Sequence, residues 1–283
     1  MARSRNFRRL RMGLSTLLGG RAQGWFIPYR YADTLAPPVG YPAIEKLFDA
    51  ARYNFSAFLA TIDEYAEVLE AIGGEPAPHP RWQQGWFPRL DGAATYTMVR
   101  DRAPGRVVEI GSGHSTRFIA RAVADGGLST KIIAIDPAPR ANIAEIGVEH
   151  IAATVHDAGS VPFDGLESGD ILFVDSSHIL MPGTDVDYLF NTLWPALPAG
   201  IIVHVHDMLL PDGYPDSWAW RGYNEQSLVA GLLSSGAAKP LFASHYATTR
   251  MEEEIASGVI GRLPLFDGAF ETSLWLQKAV EKM

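Results

Sequence analysis

Four ionisable side chains in the second half of the chain have the types and spacing that proton transfer or metal ligation needs: Asp175, His178, His206 and Asp207. They close or closely follow two apolar runs, Asp170–Asp175 and Ile201–His206, which read as strands buried on both faces. An imidazole titrates near about 6.5, so His178 and His206 are candidate catalytic bases for a hydroxyl proton, with Asp175 beside them. Alternatively, Asp175, His206 and Asp207 could hold a divalent cation, which would acidify a bound hydroxyl. Oxygen donors suit magnesium, and the histidine admits manganese, iron or zinc. A strand-end histidine can also do no more than hydrogen-bond to backbone. His204 alternates with His206, so one of the two is expected to face away.

A second group of residues has the pattern of a ligand cradle. Val107-Val108-Glu109-Ile110-Gly111-Ser112-Gly113-His114-Ser115-Thr116 runs from strand through a tight turn into a helix. Glycine permits unusual backbone angles and close approach of a ligand. The helix start offers unpaired N–H groups that favour a carboxylate or phosphate, and Ser115 or Thr116 could cap it. A glycine turn alone is weak evidence. Its company strengthens it: Asp136 directly follows the next strand, where a carboxylate can take both ribose hydroxyls, and Asp157 follows the third, within reach of an adenine amine.

Glu109-Ile110-Gly111-Ser112-Gly113, Ile135-Asp136 and Asp170–Asp175 together resemble the first, second and fourth motifs of class I S-adenosylmethionine-dependent methyltransferases. Asp175-Ser176-Ser177-His178 and Gly200–Asp207 are similar to the branch with macrocin-type O-methyltransferases and cephalosporin-hydroxylase-like proteins. The resemblance covers roughly Trp82 to Lys278. It implies S-adenosylmethionine as cofactor, with Glu109 and the Gly111–Gly113 backbone, including Ser112 and Ser115, on its methionine part. It also implies Asp136 on the ribose, Asp157 near the adenine and Asp175 lining the site. In the metal-dependent branch carboxylates end strands four and five; this chain matches at Asp175 and Asp207 and departs at His206 and Met208, which leaves the metal open. A nicotinamide oxidoreductase is disfavoured, because the third glycine of that fingerprint falls at Thr116. A non-catalytic cofactor- or saccharide-binding relative is the other alternative.

These side chains need elements to position them. From Arg106 onward the chain alternates short apolar strands with helical stretches, implying an α/β, Rossmann-like, doubly wound and mostly parallel seven-stranded sheet. Strands are expected at Arg106–Ile110, Lys131–Ile135, His150–Val155, Asp170–Asp175, Ile201–His206, Pro240–Thr248 and Glu271–Gln277. Helices are expected at His114–Ala124, Ala141–Ile146, Thr184–Leu197 and Asn224–Leu233, with Asn224 as a cap. Tyr41–Ile72 reads as one long amphipathic helix. The expected division is a basic arm and helical extension over residues 1–80 and a methyltransferase domain over 81–283. The aromatic stretch Arg81–Asp91 is either a clamp between the two or a lid. The loop from Leu209 to Gln226 offers aromatics and polar groups, so Trp86, Arg221, Asn224 and Glu225 are the candidate acceptor-binding residues, for a hydroxyl of a small molecule or glycan. Arg250–Gly268, with its run of three glutamates, reads as a solvated connection.

Composition sets the outer limits. The 283 residues are 47% hydrophobic and 20% charged, ordinary for a globular chain with a sizeable core. There is no cysteine, so disulfides, thiolate ligands and a cysteine nucleophile are excluded; this fits a cytoplasmic protein. The net charge of −8 argues against nucleic acid as partner. Residues 1–30 nonetheless hold seven arginines and no acid, with Phe7, Leu10, Leu14, Leu17 and Leu18 on one helical face. Such an arm could make peripheral contact with a membrane, or be a disordered or packed segment. A homo-oligomer stays open.

Overall fold

A computed structural model describes residues 2–25, 27–36 and 38–279, and the side chains from residue 7 onward. The ends of the expected arm (residue 1) and of the expected domain (residues 280–283) lie outside the described residues. The chain divides into two compact units, Met1–Pro37 and Pro38–Met283. The first contains one helix, α1 (Ala2–Leu17), which runs through Gly13, and a short 3-10 turn at Ala32–Thr34.

The second unit opens with α2 (Pro42–Asp63) and α3 (Ala66–Ala71). Proline at the first helical position of α2 has no N–H to leave unpaired. The expected single helix over Tyr41–Ile72 is thus two, broken at Glu64 and Tyr65. The Asp63 carboxylate there accepts the Val259 N–H (2.7 Å), and Tyr65 turns edge-on to Tyr96. The apolar face of α2 joins the core of the sheet: Phe55 packs against Phe242, and Phe48 against Tyr246. The helical extension is therefore in the same compact unit as the sheet, because its apolar face is buried there.

Next comes α4 (Arg89–Arg102), which no periodicity announces. Leu90 through Val99 are all buried, and a helix enclosed on every side has no polar face to alternate with its apolar one. A β-carbon at Gly92 would run into the rings of Phe118 and Trp82, so the glycine sets how closely α4 packs.

The sheet follows as β1 (Arg106–Ile110), α5 (His114–Gly126), β2 (Lys131–Ile135), β3 (Val148–Ile151), α6 (Val155–Ala158) and β4 (Ile171–Val174). Then α7 (Asp185–Tyr188) continues through a π-helical turn, Leu189–Leu193, into α8 (Trp194–Ala196). After β5 (Ile202–Val205) come α9 (Glu225–Ser234), β6 (Ala238–Ala243), α10 (Ser244–Arg250), α11 (Glu252–Ser257) and β7 (Leu274–Lys278). The strand order is β3-β2-β1-β4-β5-β7-β6, parallel except for β7, which runs antiparallel to both neighbours. This is the doubly wound α/β fold that the sequence implied.

Three expected elements differ. Ala141–Ile146 is not helical: the stretch is turn, with left-handed Glu145 and Gly147 leading into β3. The third strand ends at Ile151, and Val155, expected in it, starts α6 under a Thr154 cap. The sixth strand stops at Ala243, where its pairing with β7 ends, and Ser244–Arg250 turns helical to bury Tyr246 and Ala247. The glutamate run is not wholly solvated either, since Glu254 binds Arg52 and Ser56. Among the described residues, no helix is long and apolar enough to cross a membrane.

Register positions the chemistry. Ile110 pairs with Val174 and Val174 with Val205, so Gly111, Asp175 and His206 leave neighbouring strands at one level. Strand order reverses between β1 and β4, the place where open α/β sheets form a ligand crevice.

Candidate functional site

The glycine turn is locked by its own side chains. Gly111 sits at φ +79° and donates its N–H to Ile135, and a β-carbon there would run into the Asp175 carbonyl oxygen. Only glycine meets both demands. Glu109 is fully buried under the turn. Its two oxygens accept the Ser115 and Thr116 hydroxyls, each at 2.6 Å, and the Thr116 hydroxyl in turn accepts the Gly113 N–H at 2.8 Å. Burial pushes the Glu109 carboxyl up to about 8, against the opposing pull of those two hydroxyls. Asp136 closes the far side: its carboxylate accepts the N–H of Ser112 and of Ala138, both at 2.7 Å. Glu109, Ser112, Ser115 and Asp136 are thus brought together as expected from their spacing. Asp157 stands apart on α6, exposed, with its carboxylate held by the Thr154 hydroxyl at 2.8 Å.

Beyond the ends of β4 and β5 the four ionisable groups converge. His178 Nε2 is 3.3 Å from Asp175 and 3.5 Å from Asp207, and its Nδ1 is 2.9 Å from Glu225. His206 Nδ1 is 3.6 Å from Asp175 and 3.8 Å from Asp207, and its Nε2 is 3.4 Å from Asp91. Burial disfavours the charged imidazoles, but the carboxylates outweigh it: Asp175, Glu225 and Asp207 hold His178 well above its ordinary range, and Asp175, Asp91 and Asp207 do the same for His206. Burial likewise opposes ionised Asp175, yet the two histidines keep it well below the usual carboxylate range. At rest this is a closed set of ion pairs.

Backbone strain coincides with the cluster. His178 and Asp207 both adopt left-handed angles, φ +60° and +55°, which residues with a β-carbon rarely take. Such strain persists only where the surroundings over-determine it, and it gathers at functional sites.

His204 corrects one expectation. It does not face away from His206, because residues two apart on a strand point to the same side. The two rings lie 6.0 Å apart and nearly parallel. His204 is one pleat deeper, stacked on Phe173 at 3.6 Å and bonded to Ser273 at 2.8 Å. Burial and the nearby His206 charge push it well below the ordinary range, so it is a neutral core residue.

The remaining expected site residues divide by exposure. Arg221 lies over Trp218 at 4.2 Å and reaches Asp207 at 3.4 Å. Trp86 is exposed, with the Arg140 guanidinium 4.6 Å above its ring, while its neighbours Trp82 and Phe87 are buried against Phe118. The aromatic stretch therefore clamps the core at Trp82 and Phe87 and presents Trp86 at its surface. Asn224 precedes α9 but does not cap it through its side chain; its amide is committed to the Leu180 backbone, accepting at 2.6 Å and donating at 3.1 Å. Glu225 is fully buried, so its reach is to His178 and not to the crevice.

Sequence reasoning gave Asp91 no role. It is fully buried, binds His206 and accepts the N–H groups of Thr272 and Ser273 at 2.9 and 2.8 Å. The available signal was an acid inside an aromatic stretch, since a buried carboxylate needs partners. As for a cation, Asp175, His206 and Asp207 point at one another's partners, and among the described residues no group of three or more His, Asp or Glu side chains is arranged around a position an ion could take.

Residues 108–208 match a family model described as a methyltransferase domain. That span holds the turn, Asp136, Asp157, the end of β4, β5 and Asp207. Among curated proteins, none matches this chain. The chain is similar to a Podospora anserina methyltransferase, PaMTH1, solved with SAH, at 17% identity over 91% of this chain and 100% of that one, with a TM-score of 0.42. It is also similar to the O-methyltransferase TomG from Streptomyces achromogenes, solved with SAM, at 16% identity over 84% of this chain and 99% of that one (TM-score 0.40). A Bacillus cereus O-methyltransferase in complex with SAH is 11% identical over 83% of this chain and 99% of that one (TM-score 0.39).

Proposed function

We propose that this chain, which is a class I S-adenosylmethionine-dependent methyltransferase, methylates a hydroxyl oxygen of a small molecule or glycan, with His178 as the base. The observation that carries this reading is the meeting of His178 Nε2 with Asp175 and Asp207, one strand over from the glycine turn. The bound cofactor supplies an electrophilic methyl group on a sulfonium. The chain must then align an acceptor oxygen, exclude water and remove a proton.

Each task has a candidate. Gly111, Ser112 and Gly113 let a ligand approach the backbone, Asp136 is the candidate for the ribose hydroxyls, and Asp157, exposed on α6, is the candidate for the adenine amine. Glu109 and Ser115 act from beneath, by fixing the turn. Asp175 supplies negative charge where a cationic sulfonium is expected. His178 takes the acceptor proton on Nε2 once it is neutral, while Nδ1–H stays donated to Glu225. His206 is a second base candidate, held by Asp91. Arg221, which reaches Asp207, and the exposed Trp86 are the acceptor-contact candidates, while Asn224 fixes the loop that carries His178 through Leu180. MycE, another likeness, was solved with Mg, SAH and mycinamycin VI; among the described residues no three His, Asp or Glu side chains are arranged to hold an ion, and no step is assigned to a metal. The absence of cysteine fits work in the reducing cytoplasm.

Radiolabelled methyl transfer from S-adenosylmethionine into a metabolite extract tests the reading. A labelled methyl ether is expected, lost in His178→Ala and kept after chelation. Label appearing on nitrogen, or full activity in His178→Ala, would sink it.

A further inference from the structure

We propose that α1 and the aromatic segment behind it seat this protein on the surface of an anionic lipid bilayer. This goes beyond methyl transfer and does not depend on it. Phe7, Leu10, Leu14 and Leu17 step by three and four along α1. At about 100° per residue they fall within an arc of roughly 80°. All four are exposed, and Leu18, just past the helix, is 80% exposed. Arg8 and Arg9 lie off this stripe and Arg11 borders it. A continuous exposed apolar strip marks an interaction surface, where single exposed leucines would not.

Charge names the partner. Residues 1–30 carry +7 while the whole chain is −8, so the remainder carries −15. All the arm's charges are guanidinium groups, which pair with phosphate oxygens. Behind the helix, Trp25, Tyr29 and Tyr31 are exposed, the amphipathic rings that settle at the headgroup level of a bilayer. Nucleic acid would take the arginines and leave the leucines and rings in water. A bilayer of anionic lipid takes all three. Crossing the bilayer is a different matter: α1 has 16 residues, interrupted by arginines.

The test is flotation of the full chain with phosphatidylcholine vesicles, with and without phosphatidylglycerol. Binding is expected only with phosphatidylglycerol and should fall as salt is raised. Leu10→Asp/Leu14→Asp and Arg8→Glu/Arg9→Glu are each expected to lower the bound fraction by about tenfold or more, while S-adenosylhomocysteine binding in solution stays unchanged. Three results would overturn the proposal. They are failure of the wild type to float with phosphatidylglycerol vesicles, as when the arm folds back on the acidic remainder; flotation retained by both variants; and capture on duplex DNA without flotation.

Discussion

Glu225 Oε2 lies 2.9 Å from His178 Nδ1, both side chains are buried, and the backbone at His178 is left-handed. A carboxylate in that position fixes the ring's tautomer and turns Nε2 toward Asp175 and Asp207. Glu225→Ala should cut kcat by about a hundredfold or more, the scale on which a positioned base contributes, with a smaller change in KM. Glu225→Gln can still accept the N–H and should recover part of kcat. A kcat equal to wild type in both variants would remove Glu225 from the mechanism.

The pH profile follows from the same cluster. His178 is held protonated by its carboxylates, so a base role requires loss of that proton, and the rate should rise with pH on a limb above the ordinary histidine range. Glu225→Gln removes one negative charge and should move that limb to lower pH. Initial rates across pH, at saturating cofactor, measure both. A limb that stays put in Glu225→Gln would contradict the assignment.

Glu109 links the turn to stability. Its carboxyl titrates near 4.5 when unfolded and at about 8 when folded, because burial favours the neutral form. Between those values the folded state holds the extra proton, so this group's contribution is full below 4.5 and lost as pH rises through 8. His114 works the other way, lowered to about 4 by burial, and loses stability as pH falls below 6.5. Between pH 6.5 and 8 the His114 contribution is constant, and the decline due to His178 and His206 is common to wild type and Glu109→Gln, so the difference between the two reads Glu109. Over that window, Glu109→Gln should show a flatter decline in melting temperature than wild type. Parallel curves would refute the buried, raised carboxyl.

Gly111→Ala tests the turn more directly. The added carbon meets the Asp175 carbonyl and the angle is left-handed, so the cost should exceed about 1 kcal/mol. Calorimetry should show S-adenosylhomocysteine affinity falling even where the variant stays folded. Gly127→Ala shares the positive φ but has nothing within contact range, and it should leave affinity alone.

A buried ring tests the clamp. Phe87 packs on Phe118, Phe173 and His206, and Phe87→Ala should cost about 3–5 kcal/mol in denaturant unfolding. Trp86→Ala, one residue earlier and exposed, should cost little stability. If the two variants are equally stable, the division of the stretch into clamp and surface is wrong.

β1, β2 and β4 were legible because each is a short apolar run that ends at a glycine or an acid, and that pattern is local. β1 and β2 fall where the runs fall, and the turn between β1 and α5 is set by glycines whose need arises within a few residues. The four ionisable residues could be named for the same reason: each stands within four residues of the end of β4 or β5. Other features are decided by contacts between distant segments. α4 left no period because it is buried all round, and β6 gave way to α10 where β7 stopped pairing. Glu225 looked like an acceptor contact on its loop, and only folding puts it behind His178, 47 residues away in sequence. Asp91 meets His206 across 115 residues. Sequence by itself determined which groups could do chemistry and on which strands. Tertiary structure decided which carboxylate faces which imidazole, because side-chain pairing depends on long-range packing that no local pattern records.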